Sequence, residues 1–222
     1  MSKYKIILFD LDGTLSDPKE GITKSVQYAM ENLGVEVPEI HELECFIGPP
    51  LQVSFAEHYD FDELKTQRAI DFYRERFKEK GMFENKLYPN IPSLLKTLKE
   101  NGFTLVVATS KPTVFAEQIL KYFTIDQFFD LIAGSNLDGT RTSKAEIIQY
   151  ILDVYHEYEA GNFIMIGDRK HDMIGAHHTG IDSIGVTYGY GSFEEISQSK
   201  PTYMVSNVDE IKDVLVGCRV KL

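Results

Sequence analysis

The first motif that could carry chemistry stands near the start of the chain, where an apolar run ends in two acidic residues. Residues 5–9 lead into the segment 10–14, in which a single leucine separates Asp10 from Asp12. Side chains two positions apart at a strand end lie on the same side, so both carboxylates face one point. Such a pair repels unless a cation or a shared proton lies between its members. The spacing suits a site in which one Asp attacks, the other moves protons and a hard metal ion bridges them. The alternative is a strand followed by a plain Asp-Gly turn.

Further polar residues stand where other strands end or where a helix begins. They are Thr109, Ser110, Lys111, Lys144, Asp168 and Asp172. Lys144 follows Ser143, which together with Glu146 has the spacing of a helix capping box. Ligands of open α/β sheets bind beyond the carboxyl ends of the strands. We therefore expect all of these groups at one rim, with acids for a metal and with hydroxyls and an ammonium for a phosphate.

The elements that must position these residues fall into two classes. After residue 90, short apolar strands alternate with amphipathic helices, which predicts a parallel sheet with helices packed on it. Residues 16–85 contain helical faces and no convincing strand, and an insert of about 70 residues is far longer than a usual crossover. We expect an α/β fold with a Rossmann-like core over residues 1–15 and 86–222, helices on both faces, and an inserted helical domain over residues 16–85.

Four of these segments together resemble the motifs of the haloacid dehalogenase superfamily of aspartyl-nucleophile phosphohydrolases. The matching segments are 10–14, 109–111, Lys144, and 167–168 with Asp172. They occur in the family's order over essentially the whole chain, and four motifs are far more specific than one. The resemblance implies that the inserted helical domain is a cap that closes over the active site.

The resemblance also implies a mechanism. Asp10 would attack phosphorus and form an aspartyl phosphate, while Asp12 would protonate the leaving oxygen and later deprotonate water. Mg²⁺ would be held by the Asp10 carboxylate, the Asp12 main-chain carbonyl and Asp168.

The remaining implied roles concern the phosphoryl group and its support. Thr109 and Lys144 would bind the phosphoryl oxygens, with assistance from Ser110. Asp172 would orient Lys144 or a metal-bound water, with direct ligation as the alternative. Arg169 would add positive charge near the site.

A stiff Gly-Pro-Pro segment lies within the inserted helical region. Gly48 and Pro49 belong to it, and it cannot continue a helix. It is either a structural turn or, as the resemblance implies, a cap loop that senses the leaving group of the substrate.

Asp12 and three loop segments indicate which branch of the superfamily the chain resembles. Dehalogenases and phosphonate hydrolases lack an acid/base Asp at that position, so both are disfavoured. The segments 48–51, 136–141 and 167–172 look most similar to the phosphoglycolate phosphatase-like branch and its 5′-nucleotidases. We therefore expect a Mg²⁺-dependent phosphomonoesterase that acts on a small phosphorylated metabolite. A sugar-phosphate mutase and a non-catalytic phospholigand-binding protein are the alternatives, and monomer and dimer stay equally open.

Composition and net charge restrict the partners and the cellular location that we expect for the protein. The 222 residues carry a formal net charge of −11 and are 43% hydrophobic. The negative net charge disfavours nucleic acid as a partner. A phosphate substrate requires that the electrostatic field be reversed locally, which Mg²⁺ could do together with Lys111, Lys144 and Arg169. No apolar run reaches the roughly 20 residues of a membrane span. The two cysteines, Cys45 and Cys218, have no metal-ligand spacing. We expect a cytoplasmic protein without membrane contact.

Overall fold

A computed structural model of the chain describes residues 2–217, and Cys218 lies outside them. The described chain divides into two compact units. One comprises residues 2–16 and 87–217, and the other is Asp17–Lys86.

The secondary structure follows the predicted alternation. The strands are β1 (Ile6–Phe9), β2 (Ser16–Asp17), β3 (Lys86–Leu87), β4 (Thr104–Pro112), β5 (Leu131–Ser135), β6 (Phe163–Gly167), β7 (Asp182–Val186) and β8 (Tyr203–Val205). The α-helices are α1 (Lys19–Leu33), α2 (Leu51–Tyr59), α3 (Glu63–Glu79), α4 (Ile91–Glu100), α5 (Thr113–Tyr122), α6 (Lys144–Val154), α7 (Lys170–Thr179), α8 (Phe193–Gln198) and α9 (Val208–Leu215). Short 3-10 helices occupy Ile40–Phe46, Gly81–Phe83, Asp126–Phe128 and Ala160–Asn162.

The larger unit is built on a six-stranded sheet in the order β5-β4-β1-β6-β7-β8. Every pair of neighbours is parallel. This architecture confirms the predicted α/β fold with a Rossmann-like sheet.

Strand β1 lies near the middle of the sheet because all of its side chains are apolar. Every residue of Ile6–Phe9 is fully buried. A parallel strand covered on both faces has a continuous apolar sequence of this kind. On one face, Ile6 and Leu8 pack in a core cluster with Ile147 and Ile151 of α6. The central position of β1 places Asp10 between the ends of β4 and β6.

The smaller unit, Asp17–Lys86, is helical. Helices α1 and α3 supply most of its core, with Val26 and Met30 of α1 and Ile70 and Phe77 of α3 all buried. Spacings of four residues in α1 and of seven residues in α3, about one and two helical turns, place these side chains on one face of each helix.

Among residues 2–217, no helix combines the length and the apolar character that a membrane crossing requires.

Candidate active site

Strand order brings the predicted acidic and hydroxyl residues to one edge of the sheet. β4, β1 and β6 are neighbours, and their carboxyl ends carry Thr109, Asp10 and Asp168. Because the strands are parallel, these ends meet at the same edge. All three side chains are buried, with at most 3% of each residue exposed.

Lys144 connects two of the carboxylates. Its Nζ lies 2.7 Å from Asp10 Oδ1 and 2.8 Å from Asp172 Oδ1, and it donates to the carbonyl of Ala108 at 2.7 Å. Burial alone would lower the pKa of Lys144, but the charges of Asp10 and Asp172 outweigh burial and raise it. The ammonium is therefore kept charged inside the site.

The two oxygens of Asp10 have different surroundings. Oδ1 accepts from the Leu11 N–H at 2.7 Å in addition to its contact with Lys144. Within the described residues, no hydrogen bond reaches Oδ2. The carboxylate is thus fixed through one oxygen.

Asp12 is paired with a second lysine. Lys111 Nζ, at the end of β4, lies 2.8 Å from Asp12 Oδ2, and the two side chains are 6% and 9% exposed. Burial raises the pKa of Asp12, and the charge of Lys111 opposes this rise. Sequence reasoning had named Lys111 only as a source of positive charge and had not paired it with Asp12.

Asp168 is held by backbone and side-chain groups that sequence reasoning did not identify. The Tyr190 N–H donates to Oδ2 at 2.7 Å, and Thr14 Oγ1 donates to Oδ1 at 3.4 Å. Gly13 has φ of 83°, and a Cβ there would lie 2.1 Å from Asp168 Oδ2. Only glycine combines this backbone conformation with so close an approach. The glycine in the Asp-Gly motif is thus a detectable signal, whereas the contact with Tyr190 is not visible in the sequence.

Three carboxylates form a cluster that could hold a cation. Asp10, Asp168 and Asp172 each offer an oxygen, and these atoms lie within 4.8 Å of one another. Burial, followed by the charges of Asp10 and Asp172, raises the pKa of Asp168 well above its usual range. An all-oxygen donor set under such repulsion fits a hard divalent cation.

The sequence left two roles open for Asp172, namely orientation of Lys144 or a water, and direct ligation of a metal. Its Oδ1 faces Lys144 at 2.8 Å, in line with an orienting role, and its membership of the carboxylate cluster is in line with ligation. The Arg169 N–H donates to its other oxygen at 3.1 Å.

Other predicted residues contact neighbours outside the acidic cluster. Thr109 Oγ1 accepts from the Lys111 N–H at 3.3 Å. Ser110 is half-buried and makes no hydrogen bond with the site carboxylates among residues 2–217. The Arg169 guanidinium donates through Nε to Glu195 at 2.9 Å.

Two predicted residues belong to the helical unit. Gly48 and Pro49 lie between the 3-10 helix Ile40–Phe46 and α2, and Gly48 has φ of 104°. The structure thus makes this segment a connection between helices, as the sequence predicted.

Arg141 lies between β5 and α6 and contacts both elements. Its Nε donates to the Gly134 carbonyl at 2.9 Å, and its guanidinium lies 4.3 Å from the ring centre of Tyr150.

A family model identifies the class of protein that this fold and site define. The model of haloacid dehalogenase-like hydrolases matches residues 7–186. The chain therefore belongs to the haloacid dehalogenase-like hydrolase family, as its motifs predicted.

Curated relatives refine this class. The chain is 48% identical to a 5′-nucleotidase of Pseudomonas aeruginosa, over 96% of each protein. It is 30% identical to a phosphoglycolate phosphatase of Vibrio vulnificus, over 96% of this chain and 97% of the relative. It is also 35% identical to the tyrosine-protein kinase PtkA of Mycobacterium tuberculosis, over 95% of this chain and 72% of that protein.

Solved structures agree with this assignment. A predicted phosphatase from Clostridium acetobutylicum superposes with a TM-score of 0.92 at 50% identity, covering 95% of this chain and 97% of the other. The predicted enzyme class, a phosphatase of this family close to the phosphoglycolate phosphatase and 5′-nucleotidase branch, is confirmed.

Proposed function

We propose that the protein is a Mg²⁺-dependent phosphomonoesterase that hydrolyses a small phosphorylated metabolite through an aspartyl phosphate. The observation that carries this proposal is the pair of buried carboxylates, Asp10 and Asp12, which form ion pairs with two different lysines. A protein that only binds phosphate needs neither a nucleophile nor an acid beside it.

In the first half-reaction, the free oxygen of Asp10 attacks phosphorus. The bond between phosphorus and the ester oxygen breaks, and the leaving oxygen takes its electron pair together with a proton from Asp12. Lys144 offsets the negative charge that gathers during the transfer. The alcohol departs, and the phosphoryl group remains on Asp10.

In the second half-reaction, a water attacks the aspartyl phosphate. Asp12 accepts the proton of the water as the new bond to phosphorus forms. The bond between phosphorus and Asp10 breaks, which releases inorganic phosphate and restores both carboxyl groups.

The carboxylate cluster supports a metal requirement. We propose that Asp10 and Asp168 hold Mg²⁺ together with the Asp12 carbonyl, and that Asp172 either ligates the ion or orients Lys144. When bound, the ion neutralises charge on the phosphoryl oxygens and on the acidic cluster.

The substrate that we favour is a 5′-nucleotide, because the relative with 48% identity over nearly its whole length is a 5′-nucleotidase. Phosphoglycolate is the second compound to test, since a phosphoglycolate phosphatase shares 30% identity. The net charge of −11 disfavours a nucleic acid polymer, whereas a small ester needs only a local excess of positive charge at the site.

We further propose that the helical unit is the cap of the family and that Gly48 and Pro49 contribute to substrate selection. On this view Pro49→Ala changes the order of preference among substrates and leaves the reaction type unchanged. A uniform loss across all substrates would contradict a role in selection.

One specific observation favours a second candidate, phosphoryl transfer to a protein tyrosine. It is the 35% identity to a protein named as a tyrosine kinase. After a phosphate ester has phosphorylated Asp10, transfer of that phosphoryl group to the hydroxyl of a tyrosine-containing peptide, instead of to water, would support this candidate.

The test is phosphate release from a panel of nucleoside monophosphates, phosphoglycolate, sugar phosphates and a phosphotyrosine peptide, with Mg²⁺ or with EDTA. Asp10→Asn is the key variant, and Asp153→Asn, at an exposed position of α6, is the matched control. We expect turnover that requires Mg²⁺, is lost in Asp10→Asn and is unchanged in the control. Interconversion of sugar phosphates without phosphate release would support a mutase, and silence of well-folded protein on the whole panel would support a non-catalytic binder.

A further inference from the structure

The ion pair between Lys111 and Asp12 leaves the two carboxylate oxygens of Asp12 in different states. Oδ2 lies 2.8 Å from the ammonium. Oδ1 is buried and has no hydrogen-bond partner within the described residues. The carboxyl group is therefore anchored through one oxygen, while the other is available to exchange a proton.

The two lysines contact different carboxylates. Lys144 contacts Asp10 and Asp172, and Lys111 contacts Asp12. Asp10 stands two positions before Asp12, and two carboxylates at this spacing repel each other whenever both are ionised. Lys111 offsets this repulsion at a point where both partners are nearly excluded from solvent.

Placement of this carboxyl group matters because general acid–base catalysis requires its oxygen within hydrogen-bond reach of the proton it transfers. A side chain that is free to rotate meets that condition only part of the time. An anchor on one oxygen removes this freedom and leaves the other oxygen in a constant position.

We infer that Lys111 is a positioning residue for the proposed reaction, in that it holds Asp12 Oδ2 so that Oδ1 exchanges the proton. This inference rests on the proposed function. The proton passes from Oδ1 to the ester oxygen as the phosphorus–ester bond breaks, and returns to Oδ1 from water as the aspartyl phosphate is hydrolysed. Lys111 keeps its own protons throughout.

The test compares two esters that differ in their need for an acid. p-Nitrophenolate leaves as a stable anion, whereas the alcohol of a nucleoside monophosphate or of phosphoglycolate must be protonated as it leaves. The ratio kcat/KM reports the steps up to release of the leaving group. For the ester with an alcohol leaving group (the alkyl ester), we expect Lys111→Met to reduce kcat/KM by roughly 10- to 100-fold. For p-nitrophenyl phosphate, we expect a reduction in kcat/KM of less than about threefold.

The comparison separates positioning from direct binding of the phosphoryl group. Both esters carry the same phosphoryl group, so equal losses on the two would mean that Lys111 binds phosphate or supports the fold, and would overturn the inference. Lys121→Met, on the exposed end of α5, is the matched control and should change neither value. Lys111→Arg keeps the cation, and we expect it to recover much of the loss on the alkyl ester.

A double-mutant cycle covers the case in which Lys111→Met fails to fold because Asp12 is left buried without its partner. In Lys111→Met/Asp12→Asn, both charges are removed together. If Lys111 acts through Asp12, the double variant has the same kcat/KM on the alkyl ester as Asp12→Asn alone. Additive losses would overturn the inference.

Failure of the inference is distinguishable from failure of the proposed function. If the wild type hydrolyses neither ester, or if Asp10→Asn keeps its activity, the proposed function itself is wrong. If the wild type is active, Asp10→Asn is inactive and Lys111→Met loses equally on both esters, only the role of Lys111 is wrong.

Discussion

Lys144 and Asp10 form an ion pair in which both partners are almost excluded from solvent. The Nζ and Oδ1 atoms lie 2.7 Å apart, and the side chains are 3% and 4% exposed. Removal of one partner of such a pair leaves an uncompensated buried charge, which is far more costly than the loss of a surface ion pair.

The first prediction is that Lys144→Met strongly destabilises the protein. We expect a loss of about 3–5 kcal/mol in the free energy of unfolding, because Asp10 and Asp172 lose their shared cation. Urea denaturation followed by circular dichroism measures it. Adding Asp172→Asn should restore part of the stability, since one of the stranded carboxylates is then neutral. No recovery in the double variant would contradict this electrostatic explanation.

The second prediction concerns metal binding. If Mg²⁺ binds the folded acidic cluster as proposed, it should raise the melting temperature, because it relieves the repulsion among Asp10, Asp168 and Asp172. At a hundred times Kd the gain is about 2.7 kcal/mol, or roughly 5–10 °C for a chain of this size. Differential scanning calorimetry of the metal-free and Mg²⁺-loaded protein measures the shift.

Two variants serve as controls for metal binding. Asp168→Asn should abolish the Mg²⁺ shift, whereas Asp153→Asn, which removes an exposed acid, should retain it. An unchanged wild-type melting temperature at saturating Mg²⁺ would remove the main support for the metal site.

The third prediction tests the close approach of Gly13 to Asp168. Gly13→Ala should displace the carboxylate, because the added Cβ would lie 2.1 Å from Oδ2. We expect loss of both the Mg²⁺ shift and the activity. The matched control is Gly102→Ala, since Gly102 has φ of 80° and no atom within 4 Å of an added Cβ. The control carries the backbone strain alone, about 1–2 kcal/mol, and should keep its activity.

The fourth prediction concerns the pH dependence of stability in the helical unit. Arg76 donates to both oxygens of Glu84, at 2.8 and 2.9 Å. This hydrogen bonding holds the pKa of Glu84 below its ordinary value of 4.5. The folded state therefore binds the proton of Glu84 more weakly than the unfolded state does. At pH values above 4.5 the ion pair stabilises the folded protein, and this contribution is lost as the pH falls through the lower pKa of the folded state.

The measurement is the free energy of unfolding of Glu84→Gln against pH. At neutral pH we expect a loss of about 1 kcal/mol, because the pair is bidentate but partly exposed. The difference from the wild type should vanish in strong acid. Glu79→Gln, at the exposed end of α3, is the control and should show no such trend. A loss that is constant with pH would show that packing, and not charge, is responsible.

Much of the site could be predicted because its residues stand at strand ends. Asp10, Thr109 and Asp168 each follow an apolar run, and this local pattern is readable without knowledge of the partners. The parallel sheet then brings the three ends to one edge, as the βα alternation predicts.

The contacts that orient these groups could not be predicted in the same way. The Tyr190 N–H reaches Asp168 across 22 positions in the chain, and the Arg169 guanidinium pairs with Glu195 across 26. A loop amide carries no side-chain signal in the sequence. The partner of an arginine depends on which helix packs beside it.

The sequence by itself determined the fold class and the chemical identity of the acids, hydroxyls and lysines at the strand ends, because these follow from local periodicity and residue type. The family followed from the resemblance of four motifs in their order along the chain. Only the tertiary structure decided that Lys111 pairs with Asp12, that Lys144 serves both Asp10 and Asp172, and that Gly13 packs against Asp168. Ion pairs and close approaches act over a few ångströms, and those distances exist only after the strands have paired and the helices have packed.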